Sequence, residues 1–173
     1  GRVALGGAQT AAAALGLSSA ELVEVRRQTY ANGLTVVRHE QRYQGVPIFG
    51  EAVVEHRNGP GLTASSTFHG TLVRNLAQDL GSATPALSQQ AVLQLAKGRS
   101  AAALTENEQA KLFVKMDGKG VAKLVYLVSF LTTTAKGEPS RPHYIMDATS
   151  GEVLQRWEGL NHALTGTGPG GNQ

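Results

Sequence analysis

Five histidines are the side chains of this 173-residue sequence that could most readily bind a metal ion. They are His39, His56, His69, His143 and His162. A zinc-protease helix carries two histidines in the pattern H-E-x-x-H, which places both rings on one face. Here His39-Glu40 continues as Gln41-Arg42-Tyr43, so the second histidine is missing. We therefore expect no metal ion bound to this chain, and histidines that lie on strand surfaces or bond to local partners.

The other side chains with catalytic potential also lack their usual context. The sequence has no cysteine and no G-x-S-x-G pattern, so acyl transfer has no evident nucleophile. The glycine-rich run 166–171 contains no lysine followed by serine or threonine, so it is not a phosphate loop. Glu51 and Glu55 are four positions apart on a predicted strand, where we expect both to share one face and meet solvent. The sequence predicts a segment that is not an enzyme.

Composition and charge exclude two further classes of function. The formal net charge is +3, but the basic residues are scattered, and Arg26-Arg27 is their only adjacent pair. No aromatic residues alternate with them, so nucleic-acid binding is not predicted, and an acidic protein partner fits better. No apolar run approaches the roughly 20 residues of a membrane-spanning helix. With 41% hydrophobic residues, the chain is long enough to form a packed core.

The first half of the sequence predicts an antiparallel meander of four long strands. A short helix over Gln9–Leu15 precedes them, and the turns between strands carry Asn-Gly, Gln-Gly or Asn-Gly-Pro-Gly. The predicted strands are Leu22–Tyr30, Leu34–Gln44 with Leu34, Val36 and Arg38 on one face, Pro47–His56, and Leu62–Val73. A half-exposed sheet of this kind needs a cover on one side.

The second half predicts a separate α+β unit that follows a linker over Asn75–Pro85. Ser88 is the expected N-cap of a helix that runs through Lys97 and stops at Gly98, and Thr105–Glu108 is a possible turn or brief helix. The predicted strands are Lys111–Met116, Ala122–Thr132, His143–Asp147 and Glu152–Trp157. The predicted fold class is α+β, with two small modules, each an antiparallel β-sheet covered by helix.

A twelve-residue string in the first half resembles a known family. It runs from His39 to Gly50 as H-E-Q-R-Y-Q-G-V-P-I-F-G. This string resembles the signature of the propeptide module of fungalysin and thermolysin precursors. Its motif residues are Tyr43, Gly45, Val46, Pro47, Phe49 and Gly50. We expect Gly45 to permit a turn, Pro47 to stiffen a strand entry, and Gly50 to form a bulge or a close backbone approach.

The second unit resembles the PepSY module, which follows the first module in many such precursors. Asp147 and Gly151 mark its last hairpin, and turn chemistry alone explains both. Residues 156–163 and 168–173 resemble the propeptide–enzyme junction of the pseudolysin and vibriolysin subgroup. By that resemblance, the cleavage site is the His162–Ala163 bond. The expected division is 1–74 for the first module, 75–87 for the linker, 88–160 for the PepSY-like module, and 161–173 for the junction and the start of the protease.

The resemblance implies a pro-region of a secreted zinc metalloendopeptidase that acts as intramolecular chaperone and inhibitor. Its partner would be the cognate thermolysin-like catalytic domain, which would hold zinc and calcium, whereas this chain needs no cofactor. The implied inhibitory segment is Trp157, Leu160, Asn161 and His162, with the new carboxylate of His162 on the protease zinc. The implied location is secreted or periplasmic, after removal of a signal peptide. A free-standing PepSY-type inhibitor or binding protein is the alternative, and a downstream H-E-x-x-H would decide against it.

Overall fold

The structure is a computed structural model that describes residues 4–6, 15–17, 21–59, 65–102 and 104–159. Within these residues the chain forms two antiparallel sheets and two helices. Contacts divide the chain into two compact units. Unit 1 comprises Gly1–Ala83 and Val114–Ala122, and unit 2 comprises Thr84–Phe113 and Lys123–Gln173. No helix in the described ranges is long and apolar enough to cross a membrane.

Unit 1 is built on a six-stranded antiparallel sheet. Its strands are β1 (Ala4–Gly6), β2 (Leu22–Thr29), β3 (Thr35–Tyr43), β4 (Val46–Pro47), β5 (Val53–Asn58) and β6 (Ser65–Gly70). The strand order is β1-β6-β5-β3-β2, and β4 pairs with β3. The predicted meander is therefore confirmed as β2-β3-β5-β6. The helix predicted over Gln9–Leu15 lies outside the described residues except for Leu15, as does the start of the fourth predicted strand.

One face of the first sheet is buried, and it is the face opposite Leu34, Val36 and Arg38. Alternation along β3 turns Val37, His39 and Gln41 inward. Apolar residues of the neighbouring strands complete this buried face, with three partly buried leucines against them. The strand residues are Leu22, Val53 and Phe68, and the leucines are Leu15, Leu17 and Leu72. The inward positions of β3 thus include two polar residues, which must find partners inside the unit.

The predicted linker after the first sheet contains a short helix, α1 (Leu76–Leu80). Leu76 is buried, so this segment adds an apolar side chain to the unit instead of running free. The carboxylate of Asp79 accepts a hydrogen bond from the Ala122 amide at 2.9 Å. Punctuation by Gly81-Ser82 and Thr84-Pro85 indicated a linker, but one helical turn fits between the sheet and Gly81.

Unit 2 contains the longer helix, α2 (Gln89–Ser100), and a second antiparallel sheet. Its strands are β7 (Glu106–Met116), β8 (Ala122–Thr133), β9 (Pro139–Ser140), β10 (Pro142–Asp147) and β11 (Val153–Glu158), in the order β11-β10-β8-β7, with β9 paired to β8. The ends of β7 and β8 that flank their turn belong to unit 1. Ser88 caps α2 as predicted, because its hydroxyl accepts the Ala91 amide at 3.1 Å.

Two sequence-based boundaries in unit 2 are wrong. Gly98 does not end α2; the helix continues to Ser100, and Ala101 takes the left-handed conformation with φ 52°. Thr105–Glu108 is not a helical turn, because β7 already begins at Glu106. The long partner strand β8 explains the second difference: its Thr132 hydroxyl donates to the Leu104 carbonyl at 2.9 Å, which holds this part of the chain extended beside it.

The core of unit 2 lies between α2 and one face of its sheet. Val92 and Ala96 of the helix pack against aromatic and aliphatic residues of β8 and β10. These sheet residues are Tyr126, Val128, Phe130, Tyr144 and Met146, all at most 2% exposed. The Tyr126 hydroxyl donates to the Leu87 carbonyl at 2.8 Å, so its polar end is satisfied inside the unit. The predicted class, two small α+β modules with antiparallel sheets, is confirmed.

Candidate functional site

The motif string forms the tight connection between β3 and β4. Tyr43 pairs with Val46 across a two-residue turn, in which Gln44 has φ 49° and Gly45 has φ 86°. Two successive positive φ values match the turn that joins twisted antiparallel strands most compactly, and Gly45 adopts its value without steric cost. The Tyr43 hydroxyl donates to the Gly81 carbonyl. The turn is confirmed as a structural feature of unit 1. The predicted strand over Pro47–His56 is wrong in its bounds, because Pro47 ends the two-residue strand β4 and β5 begins only at Val53.

The second part of the string continues away from β4 along another segment of unit 1. Ile48 is buried and forms a parallel bridge with Val114, and the Phe49 amide donates to the Val114 carbonyl at 2.6 Å. Gly50 has φ 79°, and a Cβ placed there would meet no heavy atom within 4 Å. The expected close backbone approach at Gly50 is therefore wrong; the positive φ itself is what favours glycine. These motif residues build the turn between β3 and β4 and the loop that follows β4.

A buried polar network crosses the inner face of the first sheet. The carboxylate of Glu55 on β5 lies 3.1 Å from Nε2 of His39 on β3, and it accepts the Ser66 hydroxyl of β6 at 2.7 Å. His39 and Glu55 are 7% and 6% exposed. The prediction that Glu55 meets solvent is wrong, since β5 begins at Val53 and alternation from Val53 places Glu55 inward.

Electrostatics favour the ionised form of Glu55. The hydrogen bond with His39 lowers the pKa of the Glu55 carboxyl below its usual value, the Ser66 hydroxyl and the charges of His39 and Arg57 act in the same direction, and burial opposes them. Because a carboxylate only accepts hydrogen bonds, Nε2 of His39 carries the hydrogen between the two groups. The network is therefore a buried, hydrogen-bonded carboxylate and not a solvated surface contact.

The network cannot work as a nucleophilic triad. In a serine triad the imidazole bonds to the serine hydroxyl and removes its proton. Here Ser66 and His39 both bond to Glu55, so the hydroxyl faces a carboxylate of lowered pKa, which is a weak base. Alternation places His39 on the face of Val37 and Glu55 on that of Val53, but it does not by itself show which face is buried. The arrangement indicates a structural role in unit 1.

The remaining described histidines contact rings on neighbouring strands. His56 and His69 meet edge to face with ring centroids 5.1 Å apart on neighbouring strands. His143 stacks on Trp157, with centroids 5.2 Å apart and an interplanar angle of 13°. Within the described ranges, no three His, Cys, Asp or Glu side chains are grouped so that they could hold a metal ion.

The hairpin between β10 and β11 follows the predicted turn chemistry. One carboxylate oxygen of Asp147 accepts the amides of Thr149 and Ser150 at 2.7 and 3.0 Å. Gly151 has φ 79°, and a Cβ there would lie 2.6 Å from Cδ1 of Leu95 on the helix. Gly151 is therefore favoured by its backbone conformation, and a Cβ there would also displace the end of the half-exposed Leu95 side chain.

Comparison with known proteins decides the family. The family model described as Fungalysin/Thermolysin Propeptide Motif matches residues 20–65. Over 159 residues the chain is 41% identical to a virulence metalloprotease of Vibrio anguillarum, covering 86% of this chain and 25% of that protein. It is 40% identical to a neutral protease of Vibrio proteolyticus, with shares of 86% and 25%, and 34% identical to thermolysin of Alicyclobacillus acidocaldarius, with shares of 83% and 27%. The chain belongs to the propeptides of thermolysin-like metalloproteases.

This propeptide spans about a quarter of the length of the curated relatives it matches. A solved structure, the Bacillus megaterium YpeB C-terminal domain, aligns with 80% of the propeptide and 56% of that chain at 14% identity and a TM-score of 0.38. In this family the zinc ion lies in the protease domain. The propeptide matches only about a quarter of each relative's length.

The predicted inhibitory segment of the propeptide is only partly described. Trp157 is half-buried on the edge strand β11, where it packs on His143 of its own sheet. Leu160, Asn161, His162 and Ala163 lie outside the described residues, so the cleavage site and its neighbours remain predictions. Sequence reasoning missed His143 as the partner of Trp157, because the pairing depends on the register of β10 with β11.

Proposed function

We propose that this propeptide assists the folding of a thermolysin-like zinc metalloprotease domain and then inhibits it. The observation that carries the proposal is the 41% identity that extends along 86% of the chain while covering only 25% of a Vibrio metalloprotease. A similarity of this extent supports a link between most of the chain and one type of protease precursor. The proposed partner is the cognate catalytic domain, with its zinc and calcium, in a secreted or periplasmic location after removal of a signal peptide.

The chaperone role follows from how a binding surface acts on a folding barrier. Some secreted proteins are held in their folded state by a high barrier, and the same barrier slows their folding. A prefolded surface that binds the folding transition state lowers that barrier, and it need not stay attached afterwards. The two β-units of the propeptide, each with its own core, would provide such a surface.

The inhibitor role is proposed for the segment that follows β11. If the bond between His162 and Ala163 is cut, His162 gains a free carboxylate, an oxygen ligand that a catalytic zinc with an open position accepts. Leu160 and Asn161 would then occupy the acyl side of the cleft as a retained product does. Several simultaneous contacts would make dissociation slow, so release would require degradation of the propeptide.

The chaperone role can be tested by refolding the denatured mature protease. Residues 1–162 are added to the refolding mixture as a separate chain. We expect a higher yield of active protease with the propeptide than without it, because binding does not depend on the covalent link. A folded protein of similar size and charge is the control for nonspecific protection. Equal yields with propeptide, control protein and buffer over several temperatures would contradict the proposal.

The proposal also implies that the propeptide itself is not catalytic. Purified residues 1–173, free of contaminating protease, should hydrolyse no peptide substrate with or without added zinc. The physical reason is that peptide hydrolysis by this chemistry needs a metal held by several side chains with one position open. Zinc-dependent turnover that co-purifies with the propeptide over successive columns would refute a purely non-catalytic role.

A further inference from the structure

The end of the edge strand β11 is attached to unit 2 by side-chain contacts as well as by its backbone pairing with β10. His143 on β10 lies directly opposite Trp157 on β11, and their rings stack with centroids 5.2 Å apart. Cross-strand aromatic pairs of this kind stabilise a strand beyond its backbone hydrogen bonds. The stack is formed two residues before the last described position of the chain, Gly159.

Three hydrogen bonds continue the attachment past the stack. The Gly159 amide donates to the Arg141 carbonyl at 2.9 Å, one step beyond the end of the strand. The carboxylate of Glu158 accepts the Arg141 amide at 2.7 Å and also the Ser140 hydroxyl. The chain is therefore held through Gly159 by backbone and side-chain contacts together.

The His143 ring joins these two sets of contacts. Its Nδ1 lies 3.1 Å from the same Arg141 carbonyl that accepts the Gly159 amide. A carbonyl only accepts, so Nδ1 carries the hydrogen and donates it. The ring is thus oriented by its own hydrogen bond, by the indole of Trp157 and by the backbone that follows β11.

Gly159 is where the exiting chain touches this ring. A Cβ at Gly159 would overlap Cε1 and Nδ1 of His143, whereas the φ angle of Gly159 lies outside the range that disfavours side chains. A side chain is therefore excluded by the His143 ring and not by the backbone conformation. Glycine at position 159 therefore allows the backbone to pack directly against the His143 ring.

We propose that these residues form an exit clamp. The exit clamp sets the direction in which residues 160–162, the inhibitory tail, leave unit 2. The exit clamp consists of Arg141, His143, Trp157, Glu158 and Gly159. His143 and Gly159 are its positioning residues: they act on the protease through the tail and not by touching the reacting bond. The inference rests on the proposed inhibitory function, in which the cut follows His162, three residues after Gly159 (162 − 159 = 3).

The exit clamp can affect inhibition because only three residues separate Gly159 from the end of the tail at His162. A segment that starts from a fixed point in a fixed direction binds with a smaller loss of conformational entropy than a free one. It also remains at high effective concentration beside the cleft while the propeptide is bound. With the exit clamp disrupted, the tail starts from a mobile strand end and loses part of this advantage.

The test compares Gly159→Ala in two propeptides, one that ends at residue 162 and one that ends at residue 159. Inhibition constants are measured against the mature protease, and the emission of Trp157, the only tryptophan, reports on the stack. In the longer propeptide we expect the inhibition constant to rise about tenfold. In the shorter one we expect no change, because the exit clamp has no tail to direct.

Two further variants separate the exit clamp from folding. Gly98→Ala makes the same chemical change in α2, where a Cβ meets no atom within 4 Å, and it should leave both inhibition constants unchanged. His143→Ala combined with Gly159→Ala removes the ring that the new methyl group would strike. The inhibition constant of this double variant should rise less than it would if the effects of the two single substitutions were additive.

Each outcome of this experiment has a distinct meaning. Equal weakening by Gly159→Ala in both propeptides, or no effect in either, overturns the exit clamp and leaves the proposed inhibition intact. Equal inhibition by the unsubstituted propeptides ending at 159 and 162 shows that the tail does not inhibit, which overturns the exit clamp and assigns inhibition to the unit surfaces. Absence of inhibition by both overturns the proposed inhibitor function together with the exit clamp.

Discussion

Glu55 is the residue whose charge state most affects unit 1. Its carboxylate is buried and hydrogen-bonded to His39 and Ser66. Because its pKa in the folded state is lowered, Glu55 contributes stability above its unfolded pKa of about 4.3, and this stability is lost as pH falls through the folded value. We expect Glu55→Gln to reduce the free energy of unfolding at neutral pH by about 1–3 kcal/mol and to flatten the acid limb of stability. Both effects are measured by urea unfolding followed by circular dichroism. A range of about pH 3 to 7 brackets the unfolded pKa of about 4.3.

Glu24→Gln is the matched control for Glu55→Gln. Glu24 also pairs with a basic residue, Arg27, at 2.8 Å, but both side chains are largely exposed. Exposed pairs contribute little to stability, so this variant should unfold much like the parent at every pH. A loss of stability as large for Glu24→Gln as for Glu55→Gln would show that burial of the network is not what matters.

Gly151 is the residue on which the last hairpin and the helix of unit 2 both depend. Gly137 has nearly the same backbone conformation, with φ 82° against 79°, but no atom near its missing Cβ, whereas Gly151 faces Leu95. We expect Gly137→Ala to cost about 1 kcal/mol for the backbone and Gly151→Ala to cost up to about 1 kcal/mol more, because the end of the half-exposed Leu95 side chain must shift. Unfolding followed by Trp157 emission compares them. Equal losses would mean that Leu95 moves aside freely.

At the scale of elements, the end of α2 gives the sharpest test of the fold. Gly98 lies inside the helix with open space around it, and Ala101 holds the left-handed position that follows the helix. Gly98→Ala and Ala101→Gly should therefore each stabilise unit 2, by about 0.5–1 kcal/mol. If Gly98 were the stop that the sequence suggests, Gly98→Ala would destabilise the unit instead. Thermal unfolding of the two single variants distinguishes these cases.

Local chemistry made several elements predictable from the sequence. The Gln44-Gly45 turn and the Asp147–Gly151 hairpin depend on residues within a few positions of each other, and the structure has both. The N-cap at Ser88 is equally local. The inward face of β3 was not predictable in the same way, because Val36 and Val37 alternate and only the neighbouring strands decide which one is buried.

The candidate site shows the same limit. Asp147, Gly151 and the Tyr43–Gly50 string could be read from sequence because each has a turn or strand role of its own. The sequence does not reveal the burial of Glu55, because its partners are 16 and 11 positions away. It does not mark Gly159 either, because the His143 ring that Gly159 touches belongs to another strand. Pairings across strands depend on register, which a single sequence does not specify.

At the scale of the whole molecule, chaperoning and inhibition should depend on different parts of the chain. The folded units supply the surface proposed to bind the folding protease, and the segment after Gly159 supplies the proposed inhibitor. Every described element has ended by Glu158, so removing residues 160–162 deletes no strand or helix of the described ranges. The two activities should therefore separate in a truncated propeptide.

We expect the propeptide ending at residue 159 to rescue refolding of the denatured protease about as well as the one ending at 162, while its inhibition constant rises at least about tenfold through loss of the contacts in the cleft. Refolding yield is measured at saturating propeptide, so that weaker binding to the native protease does not limit rescue. Trp157→Ala in the longer propeptide removes a member of the exit clamp, the ring that packs on His143, and should reduce stability as well as inhibition. If truncation abolishes rescue and inhibition together while the units remain folded, the tail is needed for folding the protease. One surface would then serve both activities.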